Sequence, residues 1–111
     1  MLGPQLVSDF PTTSVKFSNA TGYVLDCASR GQPPPRVRWY QLTSSGFEQE
    51  VSSVERLRSV AANGSLLFPP FQAVQFRPDV HNIAYRCRVS NVFGSVASPV
   101  VHVTASKYNR P

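Results

Sequence analysis

A chain of 111 residues with 41% hydrophobic content has room for one ordinary globular domain and no more. No stretch approaches the roughly 18 unbroken apolar residues of a membrane span. Met1-Leu2-Gly3-Pro4 has neither the basic flank nor the apolar centre of a signal peptide, so the parent protein is expected to supply a leader and a membrane anchor elsewhere. The net charge is +5, and nine of the eleven basic residues are Arg, yet no run of five basic residues exists. Such a balance suits nucleic acid, anionic glycans or acidic proteins, and by itself fixes steering and solubility rather than function.

In chain order, Pro and Gly clusters punctuate short runs of β-branched and aromatic residues, and no segment holds a 3.6-residue period, which argues for an all-β domain. Residues 1–4 are assigned to a terminal tail, 5–105 to the domain and 106–111 to a linker. The first run is Leu6 to Phe10, broken by Pro11, and a second edge piece spans Ser14 to Ser18. After the turn Asn19-Ala20-Thr21-Gly22, Tyr23 to Arg30 alternates, with Tyr23, Leu25 and Cys27 on one face. Gly31 to Pro35 is a stiff loop. Arg36 to Gln41 then alternates with Val37 and Trp39 inward and Arg36, Arg38 and Tyr40 outward. Phe47 to Val51 and Arg56 to Val60 are weaker strands. Asn63-Gly64 turns the chain into a strand from Ser65 to Phe68, stopped by Pro69-Pro70. Ile83 to Asn91 places Ile83, Tyr85, Cys87 and Val89 inward, and Val96 to Val103 is the last strand. The expectation is seven to nine strands and no helix.

Cys27 and Cys87 are the only cysteines; Trp39 lies twelve residues after the first and Tyr85 two before the second. This is the Cys…Trp…Tyr-x-Cys pattern of immunoglobulin β-sandwiches. It implies two antiparallel sheets joined by a Cys27–Cys87 disulfide, with Trp39 packed on it and the Tyr85 hydroxyl returning to backbone near 77–80. A disulfide requires an oxidising compartment. The sequons at Asn19 and Asn63, both in turns, agree with secretion and are candidate glycosylation sites. Enzymatic chemistry is not expected: His81 and His102 are the only histidines, and no metal-ligand spacing, phosphate loop or catalytic triad is present. No cofactor and no nucleic-acid partner are implied.

Gly31-x-Pro33-x-Pro35-x-Val37-x-Trp39, Asn63-Gly64-Ser65-Leu66-x-Phe68-x-x-Phe71 and Cys87…Asn91-x-x-Gly94 resemble the I-set class of immunoglobulin domains, with Leu66, Trp39 and Tyr85 as its core signature. More particular are Phe17-Ser18-Asn19-x-Thr21-Gly22, Leu67-Phe68-Pro69-Pro70-Phe71, Val80-His81, Phe93-Gly94-Ser95 and Val101-His102-Val103. These resemble the N-terminal immunoglobulin domain of the Dscam family, the shortened arthropod members included. The resemblance implies the ectodomain of a membrane-anchored adhesion receptor of the nervous system, binding homophilically in neuronal self-recognition. His81 departs from the acidic residue usual in I-set domains six before the second Cys. Asp79 is therefore expected to supply a buried carboxylate, paired with Arg56 or Arg58.

Arg36, Arg38, Tyr40, Arg86 and Arg88 share outward parity on neighbouring strands, and Glu48 and Glu50 share parity on the next. Like charges on adjacent strands repel, so Glu48 and Glu50 are expected to pair with Arg36 and Arg38. The same seven residues form a candidate binding face, because Arg and Tyr are enriched at interface hot spots. Its partner is a second copy or, alternatively, another receptor or an anionic glycan. An intracellular structural I-set module is the remaining class.

Overall fold

In the computed structural model, residues 2–8 and 14–106 are described. Alternation decides the architecture. In β9 (Asn82–Asn91) Tyr85, Cys87 and Val89 are buried, while the residues between them stay partly open. In β5 (Arg36–Leu42) Trp39 is buried between Arg38 and Tyr40. Each strand therefore presents one apolar face, and two such faces stack into a sandwich.

The larger sheet runs β2 (Ser14–Ser18), β11 (Val101–Ser106), β9, β5 and β6 (Glu48–Glu50), with β10 (Gly94–Ala97) also on β9. The opposite layer holds β3 (Tyr23–Leu25), β8 (Leu66–Phe68) and β7 (Ser59–Val60), and β1 (Leu2–Leu6) pairs with β4 (Ser29–Gln32). All pairs are antiparallel except β2 on β11. Phe17, Leu25, Leu66, Phe68, Tyr85, Val89 and Val103 fill the space between. The Cys27–Cys87 disulfide crosses it, and Trp39 lies directly opposite Cys87 in the β5–β9 register. The Trp39 indole N–H donates to the Gly64 carbonyl at 2.7 Å, so the one polar atom of a buried ring is satisfied. Gly22, at φ +69°, leads into β3 so close to β8 that a Cβ there would collide with the Phe68 carbonyl oxygen.

The expected seven to nine strands are eleven among the described residues, and four further expectations need correction. Two helical turns interrupt the β structure, a 3-10 turn at Ala73–Gln75 and α1 at Pro78–His81. Both are too short for a helical period to show. The last strand is two, β10 and β11, because Ser98 breaks away from the regular ladder before Pro99, which has no N–H to give it. Ser98 repairs the gap: its N–H donates to the Cys87 carbonyl at 2.8 Å and its hydroxyl accepts from the Cys87 N–H at 3.0 Å. Leu2, Gly3 and Pro4, expected in a tail, belong to β1, an edge strand whose register slips between Leu2 and Gln5. Of the run expected as a strand from Leu6 to Phe10, Leu6 ends β1, Val7 and Ser8 follow it outside any strand, and Asp9 and Phe10 lie outside the described residues.

Candidate protein-recognition face

The outer face of the large sheet is built in rows by the strand register. Arg36 stands opposite Ser90, which stands opposite Ser95; Arg38 opposite Arg88, and Arg88 opposite Ala97; Tyr40 opposite Arg86 and Glu50; Leu42 opposite Ala84 and Glu48. Because β5 and β9 bury alternate residues, all of these side chains point to solvent together. The structure thus brings Arg36, Arg38, Tyr40, Arg86, Arg88, Glu48 and Glu50 onto one surface.

The pairing within it differs from expectation. Glu48 does not meet Arg36 or Arg38. It accepts from Arg86 at 3.1 Å and from Arg88 at 3.0 and 2.9 Å. The reason is register: the turn at Thr43–Phe47 sets Glu48 opposite Leu42, at the far end of β5 from Arg36. The Arg88 guanidinium, and then that of Arg86, holds the Glu48 carboxyl below the usual carboxylate range. Arg88 also lies over the Tyr40 ring, 5.8 Å from its centre. Among the described residues, Arg36, Arg38 and Glu50 have no ion-pair partner. The face is therefore polarised. Its end at Arg36 and Arg38 carries free positive charge, and its β6 edge carries one free carboxylate.

The expected buried carboxylate is also absent. Asp79 turns outward to Arg77, with contacts of 2.6 and 3.1 Å, and its side chain is 55% exposed. Arg77 is two residues away and closer than Arg56 or Arg58. Arg58 is buried instead among oxygens: two bonds to the Ser52 carbonyl, one to the Gln41 amide oxygen at 2.7 Å and one to the Tyr85 hydroxyl at 3.1 Å. The Tyr85 hydroxyl in turn donates to the Val80 carbonyl at 2.7 Å, and burial raises its pKa. Because the Asp79 pair is solvated, Asp79→Ala is expected to leave the melting temperature essentially unchanged. A fall of several degrees would mean that the carboxylate is part of the Arg58 network after all.

The two sequon asparagines have different surroundings. Asn19, a candidate glycosylation site, is 3% exposed and its side-chain amide donates to the Phe71 carbonyl at 2.9 Å. Asn63 is exposed in the turn before β8. Sequence reasoning missed Phe47, 72% exposed at the β5–β6 hairpin tip beside Glu48. An aromatic directly after Gly46 in a polar turn was the available signal.

Against known proteins, the chain is 40% identical to the cell adhesion molecule Dscam1 of Drosophila melanogaster over 103 residues, covering 93% of this chain and 5% of that protein. It is 34% identical to the human cell adhesion molecule DSCAML1 over 91 residues, 82% of this chain and 4% of that one. A solved structure of the N-terminal four immunoglobulin domains of Dscam1 isoform 4.44 superposes with a TM-score of 0.85 at 39% identity, over 96% of this chain and 26% of the other. The chain belongs to the Dscam family. It spans about one-twentieth of the curated Dscam relatives, and about one domain's share of the four-domain structure. No family model matches the chain. Among the described residues no helix of this Dscam domain is long and apolar enough to cross a membrane.

Proposed function

We propose that this Dscam domain is an extracellular recognition module of an adhesion receptor and binds a second copy of itself through the β5–β9 face. The proposal extends to self-recognition between neurons, and the domain acts by binding rather than catalysis. One observation carries it: Arg36 and Arg38 at one end of the face and Glu50 at its edge are unpaired and opposite in sign. A two-fold axis through the face sets Arg38 of each copy against Glu50 of the other, so one complementary contact is made twice. Tyr40 and Arg88, already stacked, supply a preorganised centre of the residue types that dominate interfaces.

The expected result with Arg38→Glu is loss of self-association, by at least about tenfold in Kd. Glu50→Arg should do the same, and an equimolar mixture of the two variants should recover a mixed dimer. An Arg38→Glu domain that self-associates like the parent removes this face from the account. The four arginines outnumber the two glutamates, which favours an anionic glycan as a second reading. Retention on immobilised heparin that falls steeply with salt would support it.

A further inference from the structure

The fold separates a sequon that can carry a glycan from one that cannot. The amide nitrogen of Asn19, the atom a sugar would occupy, is buried and spent on the Phe71 carbonyl, and the Phe71 N–H returns to the Asn19 carbonyl at 3.0 Å. A sugar there would force Phe71 out of its stack on His81, where the ring centres are 3.9 Å apart. A chain glycosylated at Asn19 could not complete this core.

Asn63 has the opposite setting. Its side-chain oxygen accepts from the Ser65 N–H at 3.0 Å, and among the described residues its amide nitrogen has no acceptor. The turn is held rigidly, since the Gly64 N–H donates to the Ala61 carbonyl at 2.9 Å and the Gly64 carbonyl takes the Trp39 indole bond. Beside it runs a groove of about 580 Å³ lined in part by Pro34, Pro35, Val60, Ala61 and Ala62. Val60, a β-branched apolar residue, is 41% exposed there. The groove is open, of mixed polarity and adjacent to the free amide, and its wall of Pro34, Pro35, Val60, Ala61 and Ala62 suits the C–H face of a pyranose.

We propose that Asn63 is N-glycosylated and Asn19 is not, and that the innermost N-acetylhexosamine of the Asn63 glycan lies on the shelf formed by Pro34, Pro35, Val60, Ala61 and Ala62. The donor is a lipid-linked oligosaccharide diphosphate. The Asn63 amide nitrogen forms a bond to the anomeric carbon, the anomeric carbon–oxygen bond to the lipid diphosphate breaks, and the amide gives up one proton. No oxidation or reduction is involved. The inference rests on the extracellular reading proposed above, because only a chain that enters the secretory route meets this donor.

The test is the mass of the domain secreted from animal cells, before and after enzymatic removal of N-glycans, with the converted Asp located by peptide mapping. One glycan at Asn63 is expected. It should be lost in Asn63→Asp, which keeps the oxygen that accepts from Ser65 and so keeps the fold, and retained in Thr21→Ala, which destroys only the first sequon. An unmodified Asn63, or a glycan on Asn19 of the folded protein, overturns the assignment. Nuclear Overhauser contacts between the first sugar and the Val60 methyl groups are expected, and their absence overturns the shelf. Self-association of Asn63→Asp is read separately, so a failed glycan and a failed homophilic face are distinguishable.

Discussion

Removing the Cys27–Cys87 bond, by reduction or by replacing both cysteines with alanine, is expected to lower the stability of the domain by about 4 kcal/mol. The two residues are 60 apart in sequence, so the bond closes a long loop and takes a large share of conformational freedom from the unfolded chain. The position of the bond adds to this. Cys87 belongs to the central strand β9, which pairs with β5, β10 and β11, whereas Cys27 follows β3 in the opposite layer. The bond therefore joins the two layers at the middle of the core, opposite Trp39. Domains of this size have only about 5–15 kcal/mol in total, so the reduced form should unfold at far lower denaturant. Urea titration of the oxidised and reduced forms checks it. A midpoint that does not move would mean that the layers hold together by packing alone.

The second large effect is on pH. His81 is completely buried, packed against Phe71 and Phe76, and burial pushes its pKa down to about 4 from the ordinary 6.5. The Asp79 carboxylate works against that shift, while the charges of Arg58 and Arg77 reinforce it. Its Nδ1 accepts from the Arg77 N–H at 3.0 Å, a bond that only the neutral ring can make. As pH falls below 6.5 the unfolded chain takes up a proton that the folded domain refuses, so stability falls with acidification. The loss is expected to be about 2 kcal/mol between pH 6.5 and 5, growing to about 3 by pH 4. Glu48 and Asp79, whose pKa values are lowered, add their own loss only as pH falls below the usual carboxylate range. His81→Leu should flatten the curve between pH 6.5 and 5. The same slope in both proteins would assign it to another group.

Both effects rest on features of unequal visibility in the sequence. The residues of the disulfide, Trp39 and Tyr85 are legible because period-two alternation puts each on the inward side of a strand, and the fold follows from that parity. The outward parity of Arg36, Arg38, Tyr40, Arg86 and Arg88 is legible for the same reason. Partner choice within the face is not. Parity says which side Glu48 is on, but only the length of the Thr43–Phe47 turn says how far along β5 it lands. Asn19 read as a turn residue, and its burial arises from Phe71, 52 positions away in sequence. Asp79 chose Arg77 over Arg58 because one turn of helix brought the nearer guanidinium into reach.

Whether this domain recognises itself is decided by sedimentation of the purified, oxidised domain across a concentration series. Reversible dimerisation that weakens as salt rises is expected, since Arg36, Arg38 and Glu50 lie exposed on the face. A strict monomer at high concentration would contradict it and assign recognition to neighbouring domains or to a different partner.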